Sequence, residues 1–414
     1  MRVREALERN LRLYGWLLSG TRLLFWAPVF FLYFSRHLPL DRVLLLGSIY
    51  YVAVVAFEVP SGYLSDRVSR VTTLRLAAGA QAAASAVFLL AGDRFWAFAL
   101  AQMLLAFSWA SLSGTDTSFH LDTLAALGRE EEYARREAWL TRNAYLASAA
   151  SALLGGAAGA LELRLPYALS LAGGLATLLL ALRLREPPRL RDGLPEHGFL
   201  AQLRACLAQL RSAPLAWLFA YVVLMTTLEH IPYEFAQPYV AAVLGEPVAD
   251  AGRAPLLAGL LTAGFKLAGA LAAGRAIRWR SAFGAGTTLL AVTVLQGAVI
   301  GAMAAVVHPL VLPLLLLRSV QPAVSNVIVN VEVAPRLARG QRATFLSLFS
   351  LAGRLGYGAV LLTLAALAGD GDRADPAAIT DLLRWCAAGA VLGIGALALT
   401  RRALEPDPAP KGFR

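Results

Sequence analysis

Gly62-Tyr63-Leu64-Ser65-Asp66-Arg67-Val68-Ser69-Arg70 is a short charged stretch set between two long apolar runs, 43 to 64 and 71 to 91. An apolar run of about 20 residues is what an α-helix needs to cross the hydrocarbon core of a bilayer. The stretch therefore reads as a surface loop joining two spans. Its arginines, with Arg75 just beyond, place it on the cytoplasmic side, where basic residues collect. Working outward, apolar runs recur at 12 to 34, 43 to 64, 71 to 91, 95 to 124, 138 to 161 and 165 to 184. After one long polar interval they resume at 214 to 243, 254 to 275, 281 to 307, 309 to 334, 342 to 368 and 377 to 400. The pattern predicts an all-α polytopic membrane protein with twelve transmembrane helices in two sets of six.

Composition agrees. Of 414 residues, 58% are hydrophobic and 16% charged, too few charges for a soluble fold of this size. A net charge of +11 would suit nucleic acid, but its distribution excludes that partner. If the first helix runs outward, most of the 38 basic residues fall in inner segments, including Arg2, Arg4, Arg9, Arg129, Arg136, Arg183, Arg204, Arg275 and Arg401. Only Arg22, Lys266, Arg318 and Arg354 lie inside spans. This bias puts both termini in the cytoplasm. The opening MRVREALERN leads into a full-length span with no small-residue cleavage site, so the first helix is expected to stay. Abundant Arg, Ala, Leu and Gly with little Lys points to a GC-rich bacterium and hence an inner (plasma) membrane. The two cysteines, Cys206 and Cys386, form neither a disulfide framework nor a metal cluster.

The expected organisation is a six-helix bundle over 1–184 and a cytoplasmic linker with an interfacial helix over 185–213. A second bundle follows over 214–402, and a tail over 403–414. A repeat supports the division: Pro28 is matched by Pro232, Gly62 by Gly269 and Arg136 by Arg342, each about half the chain apart.

With these spans in place, the quoted loop resembles the major facilitator signature G-x-L-x-D-R-x-G-R-[RK]. Gly62, Leu64, Asp66, Arg67 and Arg70 match; Ser69 and Val71 depart, and in the second half Ala273 replaces the acid. Physically, Gly62 would let a helix approach closely, Asp66 would offer a carboxylate to a helix N-terminus, and the arginines would hold the loop at the inner face. The resemblance implies two pseudo-symmetric six-helix bundles and alternating access. It also implies that Asp66 sits against the start of the eleventh span, near Gly340 to Thr344, and latches the outward-open state. Two features depart from drug/proton antiporters of the superfamily. The fourth span has Gln102 near the place of their intramembrane arginine, and the fifth has Gly155-Gly156-Ala-Ala-Gly159 without G-P-x-x-G.

An ionisable side chain inside the bilayer is costly, so each one there is a candidate. Asp116 and His120 are four apart in the fourth span and share a helical face, a pair able to exchange a proton near neutral pH. Asp122 is expected to pair with Arg135, Arg136 or Arg142. The seventh span carries Glu229, His230 and Glu234 around Pro232. Arg22 and Arg318 suit an anionic group on a substrate, or else neutralise Asp116 or Glu234. Glu58 and Arg354 are secondary candidates, as packing contacts or protonation sites. His120 and His230 lie on different spans, so no metal site is expected. The expected function is secondary active transport, proton-coupled export of a small amphipathic organic compound. Proton-coupled import of an anionic metabolite and lipid flipping are the alternatives. No nucleotide-binding loop or nucleophile triad is present, so neither enzymatic catalysis nor a cofactor is expected. The partners are then a small molecule, protons and the bilayer, with the chain acting as a monomer.

Overall fold

The computed structural model describes residues 2–188, 204, 207–247, 252–333, 336, 342–368 and 376–404. The interfacial helix expected in the linker, the 369–375 loop and the tail beyond 404 fall largely outside these. Every regular element among the described residues is helical. The first span is split into α1 (Arg2–Thr21) and α2 (Phe30–His37). α3 (Leu40–Tyr63) runs on into a π-helical turn, Leu64–Val68, before α4 (Arg70–Leu90). The fourth span is divided into α5 (Phe95–Leu112) and α6 (Thr115–Ala126); α7 (Tyr133–Leu161) and α8 (Leu165–Leu182) follow.

In the second half come α9 (Ala213–Leu244), α10 (Arg253–Ala273), α11 (Ala276–Phe283) and α12 (Ala285–Ala305). The tenth span is composite: a 3-10 turn (Pro309–Val311), α13 (Leu312–Leu315), a second 3-10 turn (Leu316–Ser319) and α14 (Val320–Val333). The last two spans are α15 (Arg342–Ala368) and α16 (Pro376–Leu399). Among the described residues, eleven helices are long and apolar enough to cross a membrane. The first span is missing from that number because it is cut in two. The ninth span starts later than expected: residues 281 to 283 belong to α11, and Gly284, at φ +80°, separates it from α12.

The chain forms two compact units. The first comprises Met1–Leu194, Val240–Ala263 and Leu361–Asp375; the second comprises Pro195–Tyr239, Gly264–Val360 and Pro376–Arg414. Lipid offers no hydrophobic drive between helices, so association rests on small residues and close backbone approach. In the first unit α8 lies on α4 where Gly174 meets Ala82, and α7 crosses α10 where Gly156 meets Gly259. A Cβ on Gly156 would stand 2.6 Å from the carbonyl oxygen of Pro255. At the end away from the signature loop, Tyr33, Phe34, Phe88, Phe98 and Tyr167 pack ring on ring, and Tyr33 donates to the Phe88 carbonyl at 2.9 Å. In the second unit Trp217, Tyr221, Leu289, Val324, Phe345 and Phe349 form the core, where Tyr221 and Ser325 share a 2.6 Å hydrogen bond.

Candidate functional site

In the first unit the site is built from two interruptions. Pro28 has no N–H to give and its ring disfavours helix at the residue before it, so it favours a break in the first span. The helix in fact ends seven residues earlier, at Thr21, and resumes at Phe30. Inside a bilayer the freed backbone groups need protein partners. Gln81 of α4 donates to the Thr21 carbonyl at 3.5 Å, Ser151 of α7 to that of Arg22 at 3.3 Å, and the Trp26 N–H bonds Ser170 of α8 at 3.3 Å. Gly155 makes room for this segment: a Cβ there would overlap the carbonyl oxygen of Phe25 and lie 2.8 Å from its carbon. The Gly155-Gly156-Ala-Ala-Gly159 run is thus a seat for backbone from two sides.

The fourth span was expected to be continuous and is not. Gly114 adopts φ +75° and ends α5, so Asp116 sits in the first turn of a new helix, accepting from the N–H (2.7 Å) and hydroxyl (3.3 Å) of Thr117. His120 is 1% exposed and stacked on Tyr14 at 4.7 Å, with Tyr133 at 5.5 Å. Asp122 has a partner that was not expected for it. Its ion pair is with Arg70, which also donates to the Ser118 carbonyl, while Arg136 holds Glu132 at 2.6 Å. The side chains of Arg135 and Arg142 lie outside the described residues. Arg22 rests on Trp109, 5.0 Å from the ring centroid, and makes no ion pair or side-chain hydrogen bond among the described residues. It therefore does not neutralise Asp116.

The signature stretch is a helical turn rather than an open loop. A Cβ on Gly62 would meet nothing within 4 Å, so the close helix approach expected there is not used in this structure. The side chains of Asp66 and Arg67 lie outside the described residues, as do Gly340, Gln341 and the side chains of Arg342 to Thr344, near which Asp66 was expected. The carboxylate that does cap a helix here comes from Glu186, just after α8. It accepts from the N–H groups of Arg70 and Val71 at 2.9 Å each, and from the hydroxyl of Ser69 at 2.6 Å. Ser69, in the position usually held by glycine, is the N-cap of α4, accepting from Thr72 N–H at 2.9 Å. Beyond α6, Arg129 and then Arg136 hold Glu132 and push its carboxyl down to about 2. Glu58 is half-buried two residues before Pro60.

In the second unit the seventh span stays helical through Pro232 and Pro238. Pro232 cannot bond the Leu228 carbonyl, and Gln296 of α12 donates to it instead at 3.0 Å. Tyr357 of α15 donates to the His230 carbonyl at 3.1 Å, and Arg318 to that of Pro232 at 2.9 Å. His230 itself bonds the Thr226 carbonyl through Nδ1 at 2.6 Å. Arg318 lies in the second 3-10 turn of the tenth span, 8% exposed, 3.7 Å from the Phe265 centroid and 5.6 Å from that of Tyr233. Glu229 lies within electrostatic reach of His230 and Arg318. Glu234 is 3% exposed and makes no ion pair or hydrogen bond among the described residues, so Arg318 does not neutralise it. Arg354 is half-buried on α15, next to Gly353, which packs on Thr226.

Apolar spans interrupted inside the bilayer, with charged residues at the interruptions, are the construction of a membrane carrier. The chain belongs to the Major Facilitator Superfamily, whose family model matches residues 13–361. It is accordingly a multi-pass membrane transporter of small molecules and not an enzyme. Solved structures share the fold. The nucleoside transporter NupG is 14% identical with a TM-score of 0.73, over 97% of this chain and 99% of that one. A bacterial homologue of the iron transporter ferroportin, in an inward-facing state, is 17% identical with a TM-score of 0.68, over 96% and 98%. A D-xylose-proton symporter is 14% identical with a TM-score of 0.68, over 96% and 98%. No curated protein sequence matches the chain.

Proposed function

We propose that the protein is a proton-coupled secondary transporter of a small organic compound, working by alternating access in a bacterial inner membrane with both termini inside. The observation that carries the coupling is Glu234, a buried carboxyl on α9 two residues after Pro232, with no cation or hydrogen-bond donor on it among the described residues. A charge in the hydrocarbon costs about 2.5–3.5 kcal/mol by insertion scales. Moving a proton on and off such a group is work that a pH gradient can supply. Asp116 ranks second: its carboxylate is tied to Thr117, and its expected partner His120 is sealed against Tyr14. The latch role of Asp66 belongs to the same reading. Export of an amphipathic compound and import of an anionic metabolite are the two directions in view; the environment of Arg22, taken up below, favours an anion as the substrate.

In proteoliposomes Glu234→Gln is expected to lower accumulation driven by an imposed pH gradient at least about tenfold while sparing exchange at equal pH. Full gradient-driven accumulation in Glu234→Gln, with loss in Asp116→Asn, would move the proton site to the fourth span. Retention in both variants would end the proton-coupled reading. Orientation has its own test in a background lacking Cys206 and Cys386. Single cysteines at Arg183 and Arg211 should resist an impermeant thiol reagent in intact cells, and those at Asp93 and Glu162 should react. The reverse pattern would invert the topology.

A further inference from the structure

We infer that Arg22 is the anchor for a negatively charged group on the substrate, so that this carrier takes an organic anion bearing a carboxylate or a phosphate monoester. The inference rests on the transporter reading above and names the substrate class for it. An arginine inside a span is costly and needs a reason. Here the described residues give its guanidinium none of the usual ones. Arg22 forms no ion pair or side-chain hydrogen bond among the described residues, and the polar groups of the first-span break are met by Gln81, Ser151 and Ser170. The cation is therefore not needed to cap the break or to balance Asp116.

What it does touch is the face of Trp109, at 5.0 Å. An aromatic face holds a guanidinium by its flat side and leaves the in-plane N–H fork open. That fork matches the two oxygens of a carboxylate or phosphate, which a point-charge ammonium does not. Arg22 is also only half-buried and lies where the helix is interrupted, the place where broken spans expose irregular backbone to a substrate. Arg318 shows the contrast. It is enclosed, has aromatic rings about it and donates to the Pro232 carbonyl, so its geometry is that of a brace for the α9 backbone at Pro232. Two arginines that look alike in the sequence thus have different work.

The test uses the full-length purified protein with benzoate, phenyl phosphate and neutral benzyl alcohol as probes, read as a concentration-dependent rise in unfolding temperature. At least one of the two anions should bind, which identifies the acid group, and benzyl alcohol should not. Arg22→Gln should weaken that binding about 10- to 100-fold, and Arg22→Lys by a smaller factor. Arg22→Lys keeps a cation over Trp109, so it remains informative if the glutamine variant fails to fold: its affinity for the anion must still fall. The inference is overturned if neither anion binds, if benzyl alcohol binds as well as the anions, or if both variants bind like the parent. The coupling experiment on Glu234 does not depend on these probes. Loss of gradient-driven accumulation there, with no anion binding here, removes only the substrate class. Anion binding here with no coupling there removes only the proton.

Discussion

Gly155→Ala is expected to unfold at a markedly lower temperature than the parent in detergent, by thermal denaturation followed on size-exclusion chromatography. Alanine is the better helix former by about 1 kcal/mol, so propensity alone predicts a gain in the middle of α7. Against it stands the backbone of the first-span break. The new Cβ would overlap the Phe25 carbonyl oxygen, and its neighbours are main-chain atoms that cannot rotate away. Overpacking of this kind costs about 1–3 kcal/mol, and more where backbone must move, so the clash wins. Gly62→Ala is the control, since its Cβ meets open space. Equal stability of the two variants would show that the break does not lie on α7 as described.

The second large effect concerns Arg70 and Asp122, whose side chains are 17% and 7% exposed. Removing one partner of a buried pair leaves a charge with nothing to answer it, at a cost of about 3–5 kcal/mol. Asp122→Ala should therefore destabilise by an amount in that range. Replacing both by leucine should cost less than the single change, because no orphan charge remains. The same unfolding measurement decides it. If Asp122→Ala stays within about 1 kcal/mol of the parent, or the double variant is worse than the single, the pair contributes little.

The spans were legible because length and apolarity are local properties. α3 and α4, at Leu40–Tyr63 and Arg70–Leu90, fall within a few residues of the expected 43 to 64 and 71 to 91. The interruptions were not. Ser113-Gly114 is a small pair of the sort that also eases helix packing, and a positive φ leaves no trace in composition. Pro28 was visible, but nothing local shows the helix stopping as early as Thr21. Partner choice was read least well, because it depends on which helices meet. Asp122 was referred to the nearby arginines of the next span, and nothing near it in the sequence pointed to Arg70 at the start of α4. The Glu186 cap on α4 joins segments far apart in sequence. At the candidate site, residue type singled out Arg22 and Arg318 together, and only their surroundings separated them.

During synthesis the first span emerges into the insertion machinery before any of the groups that complete it exist. The Thr21 and Arg22 carbonyls and the Trp26 N–H wait for Gln81, Ser151 and Ser170, which arrive with the third, fifth and sixth spans. At about 5–20 residues per second that interval lasts roughly 7–30 s. An unmet backbone group in hydrocarbon costs several kcal/mol, so over this period the segment from Arg22 to Val29 is better off beside water or the translocon wall than in lipid. On this timing the first span is expected to enter lipid only with the sixth, so that the N-terminal half of this protein would insert as one cohort rather than helix by helix.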